Sequence, residues 1–258
     1  MSARTVGRRL SSAAVALSIA LTAGLFALPM TVRADAGPVD FANDFILYSP
    51  TVVQGQSEVE LRAAQYRDSS PTLDTGRGYA VSIAHSFTSW WKTEVYLGQY
   101  LRAPGDPNRL DSYEFENTFQ LGSPGQYWAD TGFLLSYEYA TEDGTANEVE
   151  FGPLFQKQSG HFMQRLNLLW GKEIGTGAGA QYEFRTAYSV SYAMRREFAP
   201  GFEFFAHPAN DAYMAGPVFY GEQAFGSSEL EYSAGVVFGL GRKAPDSTFM
   251  LRLEYEFF

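Results

Sequence analysis

The chain contains no cysteine. Disulfides, thiolate metal centres and a cysteine nucleophile are therefore excluded, and stability has to come from burial and backbone hydrogen bonding. Histidine is nearly as scarce, at His85, His161 and His207. No His-x-x-x-His or Asp-x-Asp-x-Asp-Gly spacing accompanies them, and no Gly-x-Ser-x-Gly elbow is present. Gly175-Thr176-Gly177-Ala178-Gly179 has no helix after it to cradle a phosphate. We therefore assign no catalytic residue, metal site or cofactor from the sequence. Beyond residue 34 there is no continuous apolar run of the length that a membrane-spanning helix needs. Bases are also few, with 19 Lys+Arg against 29 Asp+Glu. Such a surface is a poor match for nucleic acid.

The first 34 residues stand apart. Arg4, Arg8 and Arg9 precede a mostly apolar stretch from Leu10 to Pro29, followed by small residues suited to cleavage after Ala34 or Ala36. This is the pattern of a secretory signal peptide, and residues 1–34 are assigned to it. Removing Arg4, Arg8, Arg9 and Arg33 leaves 15 bases against 29 acids, a net charge of about −14. Residues 35–56 read as a periplasmic lead-in, with Phe45-Ile46-Leu47-Tyr48 able to pack at the mouth of a following domain.

Residues 57–258 alternate, segment after segment, between apolar and polar positions. Val59, Leu61 and Ala63 alternate with Glu58, Glu60 and Arg62. Trp91, Thr93, Val95, Leu97 and Leu101 alternate with Lys92, Glu94 and Gly98. Tyr113, Phe115, Phe119 and Leu121 alternate with Glu114, Glu116, Thr118 and Gln120. Successive side chains of a strand point to opposite faces, so each segment has a greasy face and a charged one. The segments number twelve, each about ten residues long, as tilted membrane-crossing strands require. Shorter and longer connections alternate between them, as in an up-and-down meander. Gly152-Pro153 and Gly216-Pro217 form a weak internal echo and predict local bending or a bulge, since Pro removes a ladder donor.

The last strand is the most specific. Phe249, Leu251, Leu253, Tyr255 and Phe257 share one face, Met250, Arg252, Glu254 and Glu256 the other, and Phe258 overhangs. It resembles the C-terminal signal of the outer-membrane β-barrels of Gram-negative bacteria. The resemblance implies an all-β, transmembrane, antiparallel up-and-down β-barrel of about twelve strands after a cleaved signal peptide. It also implies outer-membrane lipid and the barrel assembly machinery as partners, and a monomer, since trimeric porins are larger. Trp90, Trp91, Tyr127 and Trp128 beside predicted periplasmic turns resemble the interfacial aromatic girdle.

Alternation then makes an acidic series the lumen lining. Glu58, Glu60, Glu94, Glu114, Glu116, Glu138, Glu148, Glu150, Glu183, Glu203, Glu229, Glu231, Glu254 and Glu256 face inward, with Arg62, Lys92, Arg165, Arg185 and Arg252 among them. Either these charges pair and fill the barrel, or they line a narrow solvated lumen that favours cations. The surplus of acids favours the second reading, a passive channel for small solutes. A lipid-modifying barrel enzyme and a closed barrel serving as anchor or interaction module are the alternatives.

Overall fold

The computed structural model describes residues 45–69, 74–102 and 107–258. The signal peptide assigned to residues 1–34, and the lead-in as far as residue 44, lie outside the described residues. The rest folds as β1 (Ser57–Arg67), β2 (Arg77–Ser86), β3 (Trp91–Arg102), β4 (Arg109–Gln120), β5 (Asp130–Ala140), β6 (Asn147–Ser159), β7 (Phe162–Ile174), β8 (Tyr182–Tyr192), β9 (Ala199–His207), β10 (Ala212–Phe225), β11 (Ser228–Gly239) and β12 (Ser247–Phe257). Each strand pairs antiparallel with its sequence neighbours, and β12 closes the barrel on β1. Closure leaves no unpaired edge, as lipid requires.

The seam between β1 and β12 runs from Ser57 opposite Phe257 to Arg67 opposite Ser247. Phe257 is thus the last residue of the ladder, while Phe258 stands outside it and exposed. Tyr255 and Phe257 stack with ring centroids 6.0 Å apart. Leu251 and Leu253 sit between them and Phe249 on the same outer face, opposite Ala63 and Leu61. The end of the barrel carrying Ser57 and Phe257 is called the terminal end below, and the opposite one the distal end. Two terminal-end hairpins need only two residues, because Gly160 (φ 60°) and Gly226 (φ 67°) supply the positive φ that opens a II′-type turn.

Two local features depart from simple alternation. β3 carries a bulge between Tyr96 and Gln99, where Tyr96 faces Ser82 and Gly98 already faces Val81. Parity flips there. Leu101, expected on the apolar outer face, lies opposite inward Gly78, while Tyr100 turns outward to stack on Tyr79 at 5.0 Å. The two Gly–Pro steps, by contrast, keep the register: Phe151 faces Trp170 and Leu154 faces Asn167 on either side of the first, and Ala215 faces Phe238 and Val218 faces Gly235 on either side of the second. The pairing is interrupted without an extra residue, so these are close approaches rather than bulges.

The glycines explain why. A Cβ at Gly152 or Gly216 would fall 2.0 Å from the carbonyl oxygen of Leu168 or Val236. Backbone cannot yield as a flexible side chain can. Gly152→Ala and Gly216→Ala should each lower stability by about 1–3 kcal/mol or more, as overpacking does. The check is the urea unfolding midpoint of the barrel refolded in phospholipid vesicles, with Gly125→Ala in an open turn as the reference for a strained φ without overpacking.

The interior is not empty. From Phe45 onward the segment read as a periplasmic lead-in runs inside the barrel instead. Phe45 packs edge-on against Tyr66 and Phe205 toward the distal end, with centroids 6.1 and 5.5 Å away. Gly55 and Gln56 exchange backbone hydrogen bonds with Ser86 at the terminal end. Residues between them cross the lumen. Ile46 and Tyr48 bury against Leu134, Leu154 and Leu169, while Leu47 turns the other way, into a cluster with Phe205, Met214, Val218, Val237 and Met250. These inward apolar residues, on β5 to β7 and β9 to β12, have no place in a water-filled pore. They make sense as the seat of the segment.

Candidate functional site

The lumen is divided by that inner segment. On one side lie β12, β1 and β3 to β6 with most of the glutamates. Glu58, Glu60, Glu94, Glu114, Glu116 and Glu254 are buried inside the barrel, together with Glu150 and Arg185. Arg62, Glu138, Arg165, Glu231 and Arg252 are partly buried at inward positions, and Glu183 stands exposed near the distal end of β8. The arrangement follows from register: Glu58 faces Glu256, Glu60 faces Glu254, Glu94 faces Glu116 and Glu114 faces Glu138 across neighbouring strands. Like charges placed side by side need counter-charges or donors.

Those are supplied from three directions. Lys92 Nζ lies 2.8 Å from Glu58, and Arg62 Nε 2.6 Å from Glu60. Arg252 reaches Glu60 at 3.3 Å and Glu254 at 2.6 Å, while Arg185 forms a two-pronged pair with Glu150. Neutral donors hold others, with Gln99 on Glu114 at 2.7 Å and Ser82 on Glu94. The inner segment supplies the rest. Tyr48 Oη donates to Glu116 at 2.6 Å and Gln56 donates to Glu256. The Tyr48 backbone exchanges hydrogen bonds with the Asn167 amide at 2.7 and 3.0 Å, and Val52 N–H donates to Gln120 at 2.8 Å. The Arg62 guanidinium also lies over the Tyr96 ring, 4.5 Å from its centroid.

The other side remains open. A cavity of about 370 Å³ lies between the inner segment and the wall formed by β7 to β12, β1 and β2. Leu47, Val218 and Met250 make part of its lining apolar. Arg62, Arg165, Arg252, Glu203 and Glu231 make the rest polar, and it reaches His161 and Arg196 at the terminal-end turns. Tyr220 Oη donates to Glu203 at 2.5 Å, and Arg165 Nε to Gln156 at 2.7 Å. A buried water needs only on the order of 10–15 Å³, so this space holds many. Its own wall is basic on balance, because Arg195, Arg196 and Glu222 also line it. The acidic surplus sits behind the inner segment.

No family model matches the chain, and no curated protein matches it. Solved structures do. An outer membrane channel from Pseudomonas putida F1 superimposes with a TM-score of 0.57 at 12% identity, covering 84% of this chain and 98% of that one. The fold is that of an outer-membrane β-barrel. A bacterial polysaccharide outer membrane secretin aligns over 80% of this chain and 99% of its own at 7% identity, with a TM-score of 0.38. A Rhodopseudomonas blastica porin aligns over 78% and 99% at 8% identity, with a TM-score of 0.28.

The outer surface of this barrel is apolar and aromatic. Val59, Leu61, Ile83, Val95, Phe115, Leu135, Phe202 and Phe249 are exposed there. At its terminal end Trp90 stacks near Trp91 and Phe119, with centroids 6.4 and 6.3 Å away, while Tyr127 and Trp128 are exposed on the β4–β5 turn. The histidines are scattered. Ser57 Oγ lies 3.0 Å from His85 Nδ1, but among the described residues no carboxylate completes that pair. His161 Nδ1 lies 3.1 Å from the Ala193 carbonyl in its turn, and His207 ends β9. Glu58, Glu254 and Glu256 bring oxygens within 4.8 Å of one another. Lys92 and Arg252 already neutralise two of them, so the grouping does not call for a metal.

Proposed function

We propose that the protein is a narrow outer-membrane channel for small hydrophilic solutes, with its terminal end in the periplasm and its bore restricted by its own residues 45–56. The carrying observation is the 370 Å³ cavity beside that segment, inside a closed barrel whose outer wall is apolar. The structural neighbour from Pseudomonas putida F1, itself an outer membrane channel, supports the reading. The terminal strand is the element the barrel assembly machinery would engage, and a monomer suffices because the barrel closes on itself.

The cavity wall sets Arg62, Arg165, Arg195, Arg196 and Arg252 against Glu203, Glu222 and Glu231, a small surplus of base. Cation selectivity therefore rests on the longer-range field of Glu94, Glu114, Glu116 and Glu138, which has to outweigh that surplus. The purified protein in a planar bilayer is expected to give small, ohmic conductance steps, with a reversal potential in a KCl gradient displaced toward potassium. Absence of steps would overturn the channel, and displacement toward chloride would overturn the electrostatic part alone.

A further inference from the structure

The bases among the buried glutamates are all engaged. Lys92 holds Glu58 at 2.8 Å, Arg62 holds Glu60 at 2.6 Å, Arg252 holds Glu254 at 2.6 Å, and Arg185 holds Glu150. On that side of the inner segment three buried carboxylates are left over, Glu94, Glu114 and Glu116. Arg62 stands 4.0 Å from Glu94 while it serves Glu60. The donors on the three are neutral: Ser82 on Glu94, Gln99 on Glu114 and Tyr48 on Glu116. The ladder places them side by side, with Glu94 directly opposite Glu116 and Glu114 two residues away on the same inward face. Adjacent buried carboxylates need a counter-charge, which is either a proton or a cation.

The surrounding atoms decide between the two. Tyr96 Oη, Gln99 Oε1 and Ser112 Oγ have no hydrogen-bond partner, and each of these residues is only 1% exposed. All three adjoin Glu114. Tyr96 lies directly opposite it, Gln99 donates an amide N–H to it at 2.7 Å, and Ser112, opposite Gln99, precedes it by two residues on the same face. The bulge in β3 assembles them. Without the extra residue, the parity of Lys92, Glu94 and Tyr96 would turn Gln99 outward; with it, Gln99 lies opposite inward Ala80. Bulges re-aim side chains in this way beside functional sites. Buried oxygens without a partner are costly. A proton meets the charge and at most one of these oxygens, whereas a cation coordinated by oxygen meets the charge and the oxygens together.

We propose that Glu94, Glu114 and Glu116 bind a divalent cation, calcium in preference to magnesium, with Gln99 Oε1 and Ser112 Oγ as neutral ligands. Calcium takes six to eight oxygens at about 2.3–2.6 Å in irregular arrangements, while magnesium demands an octahedron and gives up its waters reluctantly. Rotation of the glutamate side chains suffices to turn them onto one ion, because their backbones are immediate neighbours. The ion lies beside Tyr48, the inner segment's donor to Glu116, and so ties that segment to the wall. It also cancels most of the field that gives the proposed channel its cation preference, a consequence that rests on the channel reading.

Terbium luminescence tests the site in barrels refolded in phosphatidylcholine vesicles, with terbium standing in for calcium and excited through Tyr48 and Tyr96. The wild type should show one saturable terbium ion per barrel, displaced by calcium and less readily by magnesium. Affinity should fall about tenfold or more in Glu114→Gln/Glu116→Gln. Equal affinity in that variant, or no saturable signal in the wild type, overturns the site and leaves protons and water as the counter-charge. Displacement by magnesium as readily as by calcium overturns the calcium preference. Ser112→Ala removes one oxygen and no charge, so it keeps the test open if the double variant fails to fold; several-fold weaker calcium binding is expected, and unchanged binding overturns the ligand set. In planar bilayers, millimolar calcium should move the wild-type reversal potential in a KCl gradient away from potassium, and a chelator should restore it. Terbium binding without that movement overturns the link to permeation and leaves the site standing.

Discussion

Removing residues 37–54 should raise single-channel conductance several-fold and sharpen the preference for potassium over chloride. The segment fills space that the wall alone would leave open. Eight-stranded barrels are filled by their own side chains and sixteen-stranded ones are channels, so twelve strands enclose a bore that one extended peptide can block. Its seat is firm. Burying Ile46 and Leu47 contributes about 1.5–3 kcal/mol each. The hydrogen bonds from Tyr48 and Val52 to Glu116, Asn167 and Gln120 add about 1 kcal/mol apiece. Spontaneous departure is therefore rare, and under the proposed channel reading the conductance before deletion is that of the side cavity. Deletion also exposes Glu116 and Glu114 to the permeation path, which strengthens the cation preference. Planar-bilayer recordings of the deletion and of Tyr48→Phe check the argument, the point variant changing conductance far less. An unchanged conductance after deletion would mean that the segment does not occupy the bore in a membrane.

Why the strands were legible and this segment was not follows from period. Twelve alternations with aromatic outer faces leave few folds other than a closed membrane barrel, and β12 carries its address in Tyr255 and Phe257. Residues 45–56 have no such regularity. Phe45-Ile46-Leu47-Tyr48 is an unbroken apolar run, because both of its faces are buried, against Leu134 and Leu154 on one side and Met214 and Val237 on the other. A signal was present elsewhere. Leu134, Leu154, Leu169, Phe205 and Met214 are large apolar residues at inward positions, and a solvated lumen gives them no reason to be there. The bulge at Leu97–Gly98 was hidden for a different reason. A strand of twelve residues with one extra residue still alternates on each side of the defect, so Leu101 looks regular until its partner Gly78 is known. Of the acidic series, inward facing can be read from parity. Which carboxylate meets which donor depends on the barrel's curvature and on neighbours far apart in sequence, as with Arg185 and Glu150.

That pair carries the largest expected effect on stability. Arg185 on β8 reaches past β7 to Glu150 on β6, forming two hydrogen bonds with side chains only 10% and 7% exposed. β7 leaves room there because Gly171 faces Glu150, and a Cβ at that glycine would fall 2.0 Å from the neighbouring Glu148 carboxylate. Arg185→Ala strands a buried carboxylate, which costs about 3–5 kcal/mol. Arg185→Leu/Glu150→Leu removes both charges and should restore most of that loss, because a buried pair contributes little beyond what apolar packing provides. Arg196 gives the contrast. It meets Glu222 at 3.3 Å and Glu229 at 2.6 Å, but it is 51% exposed in a turn, and Arg196→Ala should leave the unfolding midpoint nearly unchanged. Urea midpoints of the four proteins in phospholipid vesicles measure both differences. A double variant as unstable as Arg185→Ala would mean that the pair orders the lumen by its geometry as well as its charge. An Arg185→Ala protein as stable as the wild type would mean that water reaches Glu150.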